Sequence, residues 1–157
     1  MRKRITGPVQ QEISSLDHDW LDVERLAEVE ITSEDTDHPI EFALLPGRES
    51  GWRAAGPGKQ TIRLVFAHPQ RLQRIWLNFV ETGTERTQEY VLRWSANGGQ
   101  SFRDIVRQQW NFSPASATSE TEDHHVELPA VTVLELSIIP DISGSTAIAT
   151  LERLRLA

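Results

Sequence analysis

The sequence predicts an all-β protein, a jelly-roll antiparallel β-sandwich of about eight main strands in two sheets, with an N-terminal extension packing across it. Three observations carry this. From residue 26 onward, apolar residues recur with period two, the mark of a strand with one buried face. Turn-forming residues interrupt those runs at short intervals. No long stretch shows the 3.6-residue repeat of a helix.

Residues 1–25 form the extension and residues 26–157 the sandwich domain. In the extension, Ile13, Leu16, Trp20, Val23 and Leu26 suit a short amphipathic helix, while Val23, Val29 and Ile31 also allow an extended segment. Short strands are expected near 26–32 and 40–44. Ile62, Leu64 and Phe66 then alternate with Arg63 and Val65; Ile75, Leu77 and Phe79 alternate with Trp76 and Asn78. Tyr90, Leu92 and Trp94 alternate with Val91, Arg93 and Ser95, and Leu134, Leu136 and Ile138 repeat the pattern. Shorter strands are expected near 103–109, 124–128 and 147–156. Between the runs fall Ala67-His-Pro69, Thr82-Gly83, Leu128-Pro129 and the stretch from Pro140 to Gly144. Asn97-Gly98, with alternating runs on both sides, is the strongest hairpin signal. The polar stretch from Ser113 to Asp123 reads as a surface loop.

A chain of 157 residues suits one domain. The lack of cysteine excludes disulfides, thiolate zinc sites, iron–sulfur clusters and a cysteine nucleophile. A formal charge of −7 argues against non-specific nucleic-acid binding, which needs cations to displace phosphate counterions. The imbalance is local: residues 1–49 hold 12 acids and 5 bases, and residues 50–157 hold 11 of each. Met1-Arg-Lys-Arg4 resembles the charged start of a signal peptide, but Ile5 to Glu12 supplies no apolar stretch behind it. No apolar run approaches the roughly 20 residues of a membrane helix. The expectation is a cytoplasmic chain with no membrane partner.

Several segments, read in order, resemble the discoidin, or coagulation-factor type C, domain of the galactose-binding-like superfamily. They are Glu30-Ile-Thr-Ser-Glu34, Gly51-Trp52, Gln60 to Phe66, Pro69 to Ile75, Tyr90-Val-Leu-Arg-Trp-Ser95 with Asn97-Gly98, and Phe102-Arg-Asp-Ile105. The resemblance covers residues 28–156. It implies an eight-stranded jelly roll used for binding glycans, lipid head groups or proteins through loops at one end, without a catalytic group. It also implies, for many members, a calcium ion near the paired termini. Ser50 and Glu152 match two of the expected positions, but Leu45-Pro46-Gly47 lacks the expected aspartate, and a hard cation wants 6–8 oxygens with carboxylate charge. No cofactor is therefore expected, with Glu152 a metal ligand only if calcium is present.

Candidate chemistry is sparse. His124 and His125 are adjacent, so on a strand they point to opposite faces, and His18, His38 and His68 are isolated. A histidine metal centre is not expected. Glu34-Asp35, Glu120 and Glu122-Asp123 offer paired carboxylates of the kind glycoside hydrolysis uses, but their polar surroundings favour solvated loops. No nucleophile elbow, zinc-protease pair or phosphate-binding glycine loop occurs. The segment from Arg107 to Pro114 is more informative. Trp110 beside Arg107, Gln109 and Asn111 combines an aromatic face with polar donors, as a sugar site does, or else Trp110 and Phe112 plug the end of the sandwich. Arg86 and Gln88 share the inward parity of Tyr90 and Leu92. Arg86 there either answers a structural carboxylate such as Glu152 or points into a ligand pocket. Trp52 reads as core. Trp76 has outward parity, with Leu16, Trp20 or Leu21 expected to cover it.

The functional expectation is a non-catalytic carbohydrate-binding module, its glycan or other small polyol held by Arg86, Gln88, Arg107, Gln109, Trp110 and Asn111 at one end of the sandwich. The alternative is a protein–protein interaction module of the same fold. An open concavity at the loop end with Trp110 exposed favours the first, and a flat apolar patch around Trp76 the second.

Overall fold

A computed structural model describes residues 20–48 and 50–157. One helical turn, α1 (Val23–Leu26), leads into strand β1 (Ala27–Ile31). Asp22 caps it by accepting a hydrogen bond from the main-chain N–H of Arg25 at 3.4 Å. A second turn, α2 (Glu41–Leu44), precedes β2 (Trp52–Arg53), β3 (Gln60–Val80), β4 (Arg86–Ser95) and β5 (Arg103–Phe112). The chain closes with β6 (Ser119–Ile139), β7 (Thr150–Leu151) and β8 (Arg153–Leu156). The pairings between these strands are antiparallel.

The sandwich is made by two strands that serve both of its layers. β3 and β6 each run for 21 residues. The first part of β3 pairs with Val133–Ile138 of β6 and, on its other side, with β1. Its last part pairs with Ser119–His124 of β6 and, on its other side, with β8. Register shifts between Val65 and Arg74 separate the two halves, and exposed Pro69 and Pro129 sit at this corner, where a missing N–H breaks no ladder. The larger layer has the order β1-β3-β6-β4-β5. The smaller is β8-β3-β6, with the β2–β7 pair beside it. Across the gap, the ring of Phe79 lies 5.2 Å from that of Tyr90. Ile62, Leu64, Ile75, Leu77, Leu92, Leu136 and Ile138 fill the space between the layers, on the parity that the sequence predicts.

Three local expectations are corrected. The segment near 40–44 is helical, with Leu44 N–H donating to Ile40 at 3.2 Å and Leu45 N–H to Glu41 at 2.9 Å. Pro39 presets the backbone at its start, and five residues are too few for the two periods to differ. The runs at 62–66 and 75–79 belong to one bent strand rather than two. Ser119–Asp123, expected as loop, is the start of β6; its polar residues mostly face outward, while Glu120 faces inward and is buried.

Trp52 is core as expected, its indole N–H donating to the Ser33 carbonyl at 3.0 Å. Asn97-Gly98 lies in the β4–β5 hairpin, where Gly98 and Gly99 take φ of 73° and 92°. Of the expected amphipathic extension, Ile13 and Leu16 lie outside the described residues.

Candidate functional site

The six residues expected to hold a ligand fall on opposite faces of the β4–β5 ladder. Arg86 pairs with Phe112 and Gln88 with Trp110, all facing inward. Arg107, Gln109 and Asn111 alternate with them and face outward, beside Thr87 and Glu89. On that outer face Thr87 is hydrogen-bonded to Asn111, and Glu89 to Arg107 and Gln109. Both donors hold the Glu89 carboxyl below its ordinary range. One ligand therefore cannot touch all six.

Arg86 has a full set of internal partners. Its Nε donates to Glu81 at 2.8 Å, and its Nη1 to the Pro140 carbonyl at 2.8 Å and to Gln88 at 3.2 Å. Its Nη2 donates to the Thr150 hydroxyl at 3.3 Å, and its guanidinium lies 4.8 Å from the Phe112 ring. The structural pairing is thus with Glu81, five residues earlier, and not with Glu152. Arg86 and Gln88 are 3% and 0% exposed, which removes both from any surface that a ligand reaches. Trp110 is half-buried, and its indole N–H is buried without a partner among the described residues.

Glu120, expected from the sequence to be a solvated loop carboxylate, is buried at 1% exposure. One carboxyl oxygen accepts from Gln88 at 3.4 Å; the other is buried with no hydrogen-bond partner among the described residues. Burial, then the adjacent Glu122, push its pKa up to about 8. Nearby, the Tyr90 hydroxyl meets His124 Nε2, and burial keeps that imidazole below the ordinary histidine range. His125, one residue on, is exposed and faces Asp123 at 3.6 Å, so the two histidines diverge as expected. Among the described residues, no group of three or more histidines and carboxylates is arranged for a metal ion.

Of the positions that the resemblance associates with calcium, Leu45 has its carbonyl taken by a guanidinium. Arg155 Nη1 donates to the Ala43 carbonyl and to its own neighbour Leu154, each at 2.9 Å, and Nη2 donates to the Leu45 carbonyl at 3.4 Å. A guanidinium thus takes the main-chain oxygens of the 43–45 segment. Among the described residues, Glu152 joins no group of three or more histidines and carboxylates.

Among the described residues, a concavity lies elsewhere, on the outer face of the smaller layer. A cleft of about 940 Å³ runs between the Trp20–Glu24 segment and the Leu44–Arg48 loop. Trp76, Arg74, Arg153 and Arg155 of β3 and β8 also line it. The outward parity of Trp76 predicted this placement. Trp20 and Leu21, two of the expected covering residues, form a wall of the same cleft, and Trp76 is half-buried. Leu16 lies outside the described residues. Leu21 N–H donates to Leu156 at 2.8 Å, which fixes that wall to β8. Arg74 packs over the Trp20 ring at 4.8 Å and forms a paired bridge to Asp123 at 2.8 and 2.9 Å, holding that carboxyl below its usual range. Neither an open concavity at exposed Trp110 nor a flat apolar patch at Trp76 is present; Trp76 sits in a concave, arginine-rich cleft.

No protein-family model matches the sequence, and no curated protein matches it. Solved structures match in fold. One is the family 32 carbohydrate-binding module of Clostridium perfringens NanJ in complex with galactose, with a TM-score of 0.64 at 13% identity over 87% of this chain and 96% of that one. Another is the Clostridium perfringens module CpGH89CBM32-5 in complex with GalNAc-β-1,3-galactose, with a TM-score of 0.61 at 20% identity over 87% of this chain and 98% of that one. A third is XRCC1 bound to the DNA polymerase β catalytic domain, with a TM-score of 0.59 at 15% identity over 84% and 95% of the two chains. The likeness is one of fold, the discoidin or galactose-binding-like sandwich.

Proposed function

We propose that this protein is a non-catalytic carbohydrate-binding module that takes a saccharide in the cleft on the outer face of its smaller layer. The observation that carries the reading is Trp76, a half-buried indole set among guanidinium groups inside a concave site. An indole face stacks on the C–H face of a sugar ring, and fixed N–H donors fit its hydroxyls. The fold supports the reading, because similar structures are modules solved with galactose, with GalNAc-β-1,3-galactose and with 4,5-unsaturated mannuronic acid. Fold alone does not fix function, so the site must be tested. In a glycan-array screen, the full-length protein is expected to enrich a saccharide class, and Trp76→Ala to lose it while keeping its thermal transition. Enrichment that survives Trp76→Ala in a folded protein would overturn this placement.

A second reading is supported by the XRCC1 complex, in which the same fold engages a protein. The outward row of Arg107, Gln109 and Asn111 on edge strand β5 is the surface it would use here. Replacing all three by alanine is expected to abolish capture of a protein partner under this reading, and to leave glycan binding untouched under the first.

A further inference from the structure

Among the described residues, the lining of the cleft carries more positive charge than negative. Four arginines line it: Arg48, Arg74, Arg153 and Arg155. Two carboxylates line it as well, Asp22 and Glu24, and Asp22 already faces Arg25 and caps α1. Arg74 is bridged to Asp123, and Arg155 is spent on main-chain carbonyls, which carry no formal charge. Among the described residues, Arg48 and Arg153 make no hydrogen bond or ion pair. Arg153 and Arg155 alternate on β8 and so share its outer face, with Asn78 and Trp76 as their cross-strand partners. Two like charges side by side repel one another. Together with burial, the Arg153 charge lowers the pKa of Arg155. An anion placed between them would relieve that repulsion and supply acceptors for the unused N–H groups.

We infer that the cleft selects an acidic saccharide, a carboxylated sugar whose ring stacks on Trp76 while its carboxylate is taken by Arg153 with Arg48. This rests on the carbohydrate reading above and adds the charge of the ligand. The planar guanidinium fork matches a carboxylate in paired hydrogen bonds, which a neutral hydroxyl cannot reproduce. Trp76 and Trp20 supply flat apolar faces that a purely electrostatic anion site would not need.

The test titrates full-length protein with a galacturonic-acid oligosaccharide and with the same oligosaccharide reduced at its carboxyl groups, following tryptophan fluorescence and calorimetry. The acidic form is expected to bind at least about tenfold more tightly than the reduced form, the worth of one charge-assisted contact, and to weaken as salt is raised. Arg153 is exposed, and Arg153→Gln is expected to keep the thermal transition and to erase that preference, so that the acidic form binds no more tightly than the reduced form. Arg48→Gln gives the same readout from the loop side of the cleft. Equal binding of the two forms overturns this inference and leaves the carbohydrate reading standing. Binding of neither form to a folded protein overturns both. If an oligoglutamate peptide binds in an Arg153-dependent way and neither saccharide does, the cleft belongs to an acidic protein segment and the saccharide assignment fails.

Discussion

The Tyr90 hydroxyl stands 2.7 Å from His124 Nε2, and this contact fastens the larger layer of the sandwich to the smaller one. Burial raises the phenol above its ordinary pKa and lowers the imidazole below its own, so the contact joins a neutral phenol to a neutral ring. Glu120 and Gln88 extend the polar seam on one side and Arg86 closes it at the end of the layers. The seam is where the sandwich is most exposed to changes in charge.

Glu120 makes that sensitivity measurable. Its native pKa, about 8, lies above the unfolded carboxylate value of about 4.3, so over that interval the native state holds a proton that the unfolded state lacks. The stability it contributes is full below about pH 4 and is lost as pH rises through about 8. His124 acts with the opposite sign, its share present above the ordinary histidine range and lost as pH falls. Glu120→Gln is expected to leave the Tm near pH 4 unchanged and to raise it at pH 8.5 by roughly 5 °C or more. An identical pH profile for variant and parent, by scanning calorimetry, would show that Glu120 ionises freely.

Arg86→Met removes a charge with internal partners at every group. It strands the Glu81 carboxylate and leaves the Pro140 carbonyl unpaired. Breaking a buried pair from one side costs about 3–5 kcal/mol, and that loss is expected in urea unfolding. A loss below about 1 kcal/mol would mean that the guanidinium is dispensable to the fold.

Arg155 predicts independence from calcium. EDTA is expected to leave the Tm within about 1 °C of the untreated protein if the Arg155 guanidinium serves the 43–45 carbonyls in place of a metal ion. Arg155→Ala is expected to cost about 1–3 kcal/mol, since the Ala43 and Leu45 carbonyls lose their donor. A drop of several degrees on chelation, reversed by added calcium, would refute this account of the 43–45 segment.

Gly51 has no room for a side chain. Its φ is 58°, and a Cβ there would lie 2.6 Å from the Leu151 carbonyl oxygen and 2.7 Å from Glu152 Cα, both rigid main-chain atoms. Gly51→Ala is expected to lower stability by more than about 2 kcal/mol, against less than about 1 kcal/mol for Gly58→Ala, whose φ of 93° is strained but whose surroundings are open. Parallel denaturation of the two variants separates packing from backbone strain.

The layers and their inner faces were legible in the sequence because period-two alternation is a local property. Tyr90, Leu92 and Leu136 announce their own orientation. What joins distant segments was not legible. The parity of Arg86 showed that it turns inward, but only the turn after β3 could bring Glu81, rather than Glu152, to its guanidinium. Glu120 was hidden by its polar neighbours, which the outer face of a strand tolerates as readily as a loop does. The parity of Trp76 was read correctly, whereas its cleft depends on a loop and two strands meeting from separate parts of the chain. Arg107, Gln109 and Asn111 were grouped with Trp110 by proximity along the chain, although alternation already assigned them to the other side of the ladder.

The sharing of β3 and β6 between both layers also bears on how the chain reaches this state. Neither layer can be completed alone, because each draws two of its strands from the same pair, and the ladder between them joins Gln60 to Ile138 as well as Val80 to Ser119. The later hairpin, β4 with β5, can close early over a short span, but the two long strands must find each other across up to half of the chain before either face is sealed. Such distant pairing makes for a slow search, on the millisecond-to-second scale of β-sandwiches, followed by one all-or-none transition with no stable half-molecule along the way.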